Sequence, residues 1–158
     1  MMLRHVKSGV ALGSVVALAV AGSAIGQSTM SATDSIAARQ KLMKEQGATL
    51  KSINEKAKAG EAQAIGPDAE KLVETSKRIL SLFPAGSLDP STSRAKPEIW
   101  QKWSEFEGNA KNLGSKATQL ASTSQTGNAE ATNAAIADLG KTTCTACHDA
   151  FRGPEIKK

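Results

Sequence analysis

Two cysteines and a histidine stand together near the end of the chain, in "KTTCTACHDAFRGP", residues 141–154. Cys144, Cys147 and His148 have the spacing C-x-x-C-H, and on an α-helix these positions are i, i+3 and i+4, on one face. Three chemistries use such a set. A disulfide between the cysteines suits an oxidising compartment, but the thioredoxin-like form of the motif opens a helix after a strand. Zinc takes four ligands, and only three are here unless a carboxylate completes the set. The third is attachment of a c-type haem, for which C-x-x-C-H is the signature. Each thiol forms a thioether with a vinyl group, and the histidine presents a neutral nitrogen to iron.

The rest of the chain decides among them. Met1–Lys7 carries Arg4 and Lys7 and no acid, a short apolar stretch of Val, Ala, Leu, Gly and Ser follows, and "AGSAIGQ" supplies small residues. That is the layout of a secretory leader over residues 1–26, cleaved near Gly26 with Ala24 at the −3 position, the alternative being a cut after Ala24. A spanning helix needs about 20 strongly apolar residues, and this stretch is shorter and broken by Gly and Ser. The mature chain, 27–158, suits one domain. Losing the leader removes two of the 20 basic residues and none of the 15 acidic ones, leaving a net charge of +3. That excess is too mild to indicate nucleic acid or a membrane surface. Two ionised haem propionates would lower it to about +1, so a docking patch must come from local clustering. Cleavage also removes His5, Met1 and Met2, so His148 is the single mature histidine and Met30 and Met43 the only methionines. With both cysteines and the one histidine in a single motif, and with export to where c-type haem is attached, the reading is haem c held by Cys144 and Cys147, with His148 on the iron.

These residues must be positioned by helices, because strand signals are nearly absent. The first helix is expected from about Thr33 to Ala59, ending at Gly60 as a C′ glycine, with a seam at Ile36, Met43, Leu50 and Ala57. A second opens at Gly66-Pro67 with Pro at the first position, buries Leu72, Val73, Ser76, Ile79, Leu80 and Phe83, and stops at Pro84. A third opens at Pro97 and carries Ile99, Trp103, Phe106, Ala110, Leu113, Ala117 and Leu120 in alternating steps of four and three. The fourth runs from Asn128, an N-cap, to Arg152, with Gly153-Pro154 after it. The fold class is therefore all-α, an antiparallel up-down-up-down four-helix bundle with the haem on the last helix. Five aromatic residues, Phe83, Trp100, Trp103, Phe106 and Phe151, and many seam alanines make a thin core. Either an apolar cofactor fills it or the helices pack unusually close. Trp100 and Phe106 are read as core packing first and haem neighbours second.

The chain resembles the class II c-type cytochromes, the family of cytochrome c′ and its low-spin relatives. "ARQKLMKEQG" (38–47) is similar to the family's first-helix signature, "KPEIW" (96–100) to its third-helix opening, and "CTACHDAFR" (144–152) to its haem-binding end. Aligned on Arg39-Gln40, the resemblance places Met43 at the position facing the iron opposite the histidine. An apolar residue there leaves iron five-coordinate and open to small gases; a methionine makes the low-spin branch, which this chain resembles most. The resemblance also implies Arg39 near the haem propionates and Arg152 beside the histidine, against the alternative that both are solvated helix residues. Met43 as core filler is the plain alternative, but Met30, in "QSTMSATD" ahead of the first helix, has few contacts to hold it. Gly47, one turn after Met43, leaves room for a porphyrin edge.

The expected function is a periplasmic electron carrier with a His148/Met43-ligated haem and redox proteins as partners. The rival is a five-coordinate cytochrome c′-type binder of nitric oxide or carbon monoxide, and a third reading is a non-haem thiol protein. No nucleophile–base pair is visible, so an enzyme is not expected. The resemblance implies a homodimer through the first two helices, and nothing after the leader inserts in a membrane.

Overall fold

Local capping chemistry sets where each helix begins and ends. The computed structural model describes residues 30–156, so the expected leader and its cleavage site lie outside the described residues. Helix α1 spans Ala32–Lys58, with Ser31 as N-cap accepting from the Asp34 N–H at 3.1 Å. It ends as expected at Gly60, whose φ of 76° is the left-handed conformation a C′ glycine supplies. There the Gly60 N–H reaches the Ala57 carbonyl (3.1 Å) and the Glu61 N–H reaches Lys56 (2.9 Å), the two bonds of a Schellman motif.

A 3₁₀ turn, Ala62–Ile65, feeds α2, Gly66–Arg78, which continues through a second 3₁₀ turn at Leu80–Leu82. Gly66 takes the first helical position, so Pro67 comes second rather than first. Leu72, Ser76, Ile79 and Phe83 are buried as expected, while Val73 and Leu80 are half-buried. The third bundle helix is split: α3, Glu98–Gln101, breaks at Lys102 (φ −119°, ψ 47°), and α4, Trp103–Gln125, follows. Its expected stripe is buried except for Trp103, which is half-buried.

The last bundle helix is not continuous α-helix. Asn128 caps α5, Ala129–Leu139, accepting from the Ala131 N–H at 2.9 Å. A π-helical turn, Gly140–Thr145, then precedes α6, Ala146–Phe151. The hydroxyls of Thr142 and Thr143 donate to the carbonyls of Asp138 (2.8 Å) and Leu139 (2.6 Å). Hydroxyls that occupy carbonyls in this way compete with the backbone ladder, and the widened turn is where the ladder yields.

In space α1 packs on α2 and α5, α2 on α4, and α4 on α5. Chain neighbours are spatial neighbours all round, which gives the antiparallel up-down-up-down bundle. The thin core takes two forms, at different places: close helix packing, as one alternative expected, and a cavity. Ala69 and Ala117 are fully buried, and Gly114 lets α4 approach Ser76 so closely that a Cβ would lie 2.8 Å from its hydroxyl. Elsewhere the helices part around a cavity of about 730 Å³. The aromatic residues gather beside it: Phe106 lies 4.8 Å from Phe83, 5.4 Å from Phe151 and 5.6 Å from Trp103. The α1 seam is rotated accordingly. Ile36, Leu42, Thr49 and Ile53 are buried, whereas Met43, Leu50 and Ala57 are half-buried, and Met43 and Leu50 face the cavity.

Candidate cofactor site

One wall of the cavity comes from the end of the bundle's last helix. Cys144, Cys147 and His148 all line it, each half-buried, and both thiols are free. Cys144 belongs to the π-turn and the other two to α6, so the single α-helical face expected for the three is replaced by a widened turn followed by α-helix. π-turns recur at functional sites. This one is pinned to α4, where the Asn112 amide donates to the Thr142 carbonyl at 3.2 Å. The end of α6 is held just as firmly. Lys96 N–H donates to Phe151 O (3.0 Å) and Gly153 N–H to Arg94 O (2.7 Å). The Arg94 side chain donates to Gly153 O (2.9 Å), and Lys96 Nζ to Ala150 O (2.8 Å). The carbonyls that a helix end leaves open are thus taken by residues 94–96.

Electrostatics keep the imidazole neutral. Burial lowers the His148 pKa first, the positive charges of Arg152 and Arg94 add to it, and Asp149 only partly opposes them. A neutral ring is the form that binds a metal. Burial, and then Cys144, push the Cys147 thiol up to about 11, so it is a thiol rather than a thiolate.

The other walls are mostly apolar: Leu50 from α1, Leu72 from α2, and Phe106, Ala110 and Leu113 from α4. Met43 lines the cavity from α1, and Met30 is 45% exposed ahead of the helix. Gly47 borders the cavity, and a Cβ there would meet nothing within 4 Å, so the expected room is present.

Arg39 corrects one alternative. It is only 3% exposed, so it is no solvated helix residue. Its guanidinium donates to Ser87 Oγ (2.9 Å), Ser87 O (2.8 Å) and Ser93 Oγ (2.8 Å), and lies 4.8 Å from the centre of the Phe83 ring. Among the described residues it has no carboxylate partner, and burial lowers its pKa. Arg152 combines both of its readings: it is exposed, yet it borders the cavity and its charge acts on His148. Phe106 is both core and cavity wall, whereas Trp100 packs on Phe83 and donates to the Phe83 and Pro84 carbonyls, each at 3.1 Å.

Sequence reasoning missed Ser87, Ser93 and Arg94, all in a loop without periodicity. Their signal was compositional, a Ser/Thr-rich stretch at 87–93 that can seat a guanidinium. It also missed Lys44 on the cavity wall.

The donor set fits a covalently attached metalloporphyrin. Two thiols and a neutral imidazole open on one large apolar cavity, with a thioether on another wall and an uncompensated buried cation at its edge. Among the described residues no three His, Cys, Asp or Glu side chains form a group that could hold a bare metal ion.

A family model described as cytochrome C′ matches residues 34–152. The chain is 29% identical over 145 residues to a cytochrome c′ of Rhodopseudomonas palustris, covering 89% of this chain and 94% of that one. It is 30% identical over 117 residues to cytochrome c-556 of Agrobacterium tumefaciens, covering 72% and 93%. Its fold is similar to that of cytochrome c′ from Thermochromatium tepidum, with a TM-score of 0.68, 26% identity, and coverage of 80% and 99%.

Proposed function

Since the chain belongs to the cytochrome c′ family, and its cofactor is therefore a covalently attached haem c, we propose that it is a periplasmic carrier of single electrons and small axial ligands rather than an enzyme. The carrying observation is that Cys144, Cys147, His148 and Met43 line one apolar cavity. Haem supplies a one-electron Fe(II)/Fe(III) couple and an axial position for a small ligand. The chain does the rest. Cys144 and Cys147 would fix the macrocycle on the last helix, and His148 would offer a neutral nitrogen held in place by the strapped end of α6. Arg39 would face the group's anionic edge, Arg152 would stay by the histidine, and the apolar walls would exclude water.

The sixth position has two readings. The comparisons favour the cytochrome c′ type, binding nitric oxide or carbon monoxide at five-coordinate iron: the family model and the relatives from Rhodopseudomonas palustris and Thermochromatium tepidum carry that name. One observation favours the His148/Met43 low-spin electron carrier, namely a methionine on the cavity wall. In both, Met43 governs access. The test is the absorption spectrum of the isolated protein, with and without carbon monoxide. A high-spin spectrum that shifts with carbon monoxide supports the cytochrome c′ type. A low-spin spectrum inert to carbon monoxide, converted to high-spin by Met43→Ala, supports the carrier. Absence of a Soret band refutes both.

A further inference from the structure

From Lys41 onward the outer face of α1 is predominantly basic, although exposed Asp34 precedes it. Positions 41, 44, 48, 51, 55 and 58 step by three and four, so Lys41, Lys44, Ala48, Lys51, Glu55 and Lys58 stand in one line, and all are exposed. The single acid, Glu55, lies 3.7 Å from Lys51, while Lys41, Lys44 and Lys58 form no ion pair among the described residues. The neighbouring α2 is built otherwise. Its exposed Glu70, Lys71, Glu74 and Lys77 mix signs, and Glu45 lies 3.6 Å from Lys71 and 3.7 Å from Arg78. The α1 line leads to the cofactor. Lys44 lines the cavity, Arg94 and Arg152 border it too, and the one acid on its rim, Glu155, lies 3.8 Å from Arg94.

We propose that this lysine line, continuous with the basic rim of the cavity, is the docking face for an acidic partner protein that exchanges electrons with the chain. The inference rests on the haem reading for what is exchanged, and on the charge pattern for where. A mild net charge cannot orient an encounter, but a predominantly basic patch at the point of exchange can. A second copy laid along the line would set four lysines against four, with one glutamate each to balance them. A membrane-lying helix inserts large apolar side chains, and the line offers only Ala48.

The test uses the haem-loaded, isotope-labelled protein and poly-L-glutamate as the acidic probe at low salt. Amide shifts are expected on α1 and around residues 94 and 152. Affinity is expected to fall about tenfold in Lys41→Gln/Lys44→Gln/Lys51→Gln, and by less than about twofold in the control Lys71→Gln/Lys77→Gln. Ferricyanide gives the second readout: the reduced protein loses one electron and ferricyanide becomes ferrocyanide. Its rate should fall steeply with ionic strength in the parent and much less in the triple variant. Equal losses in the control, shifts centred on another helix, lysine-dependent self-association in sedimentation, or capture by phosphatidylserine vesicles would overturn the proposal. A protein without a Soret band that still binds the probe on α1 would remove the haem reading alone and leave the docking face standing.

Discussion

Arg39 places a positive charge where no acid of the described chain meets it. Burying a cation costs several kcal/mol unless it is paired or well hydrogen-bonded. Three neutral acceptors and an aromatic face satisfy its N–H groups without cancelling the charge, which leaves it suited to an anionic edge of the cofactor. Two effects are expected from Arg39→Gln. The loop carrying Ser87 and Ser93 loses its anchor, at a cost of about 1–3 kcal/mol, seen as a lower melting temperature. The midpoint potential also falls, because a nearby cation favours the reduced iron. An unchanged potential would make Arg39 a strut for the loop and nothing more. The same contrast shows what could be read beforehand. Arg39-Gln40 could be aligned to a family signature, and the scarcity of histidine, methionine and cysteine singled out His148, Met43 and the two thiols. The burial of Arg39 was not legible, because its acceptors come from a loop some fifty residues away with no periodic pattern.

At the scale of elements, caps and breakers were legible because they act within a few residues: Gly60 ends α1 and Asn128 starts α5. The π-turn was not, because two threonines after a glycine weaken an α-helix without announcing which alternative follows. Its consequence is testable. Thr143 is buried, donates to the Leu139 carbonyl at 2.6 Å and lies 3.6 Å from the Cys144 sulfur. Thr143→Val keeps the shape and removes the hydroxyl, so the turn should relax toward α-helix and rotate Cys144. The expected result is an increased fraction of protein with haem bound through one thioether, read by mass spectrometry and the pyridine haemochrome band; unchanged attachment would show that the turn is not held by this hydroxyl. Away from the cavity, Asp68 ties α1 to α2, accepting from Lys56 at 2.8 Å and Ser52 at 2.7 Å. Burial alone would raise its pKa. The hydrogen bonds from Lys56 and Ser52, with the charges of Lys56 and Lys71, outweigh that and hold it below the usual range. A depressed folded value means that stability is present above the unfolded pKa of about 3.9 and is lost as the pH falls through the folded one. Asp68→Asn should therefore cost about 1 kcal/mol at neutral pH and flatten the acid limb of the melting curve. A variant whose acid limb matches the parent would show that the tie contributes nothing.

For the whole molecule the deciding quantity is the cavity. The roughly 730 Å³ between its apolar walls forfeits side-chain contacts that a packed core would make, and with nothing to fill it the apolar lining faces water. An apolar group between the walls would therefore contribute much of what holds them in this arrangement. The close-packed part, with Ala69, Ala117 and the Gly114–Ser76 approach, can hold some helix pairing without help. The part lined by Leu50, Leu72, Phe106 and Leu113 cannot. Without the thioethers, in Cys144→Ser/Cys147→Ser, the chain is therefore expected to keep helical circular dichroism from α1, α2 and α4 while losing the cooperative melt. The aromatic cluster around Phe106 should lose its near-ultraviolet signal, because Phe83, Trp103 and Phe151 meet at the cavity's edge. Added haem should restore part of the melt through His148 alone. A double variant that melts as sharply and at the same temperature as the parent would mean that the walls can close on one another, and that the cofactor is a passenger in a bundle that folds without it.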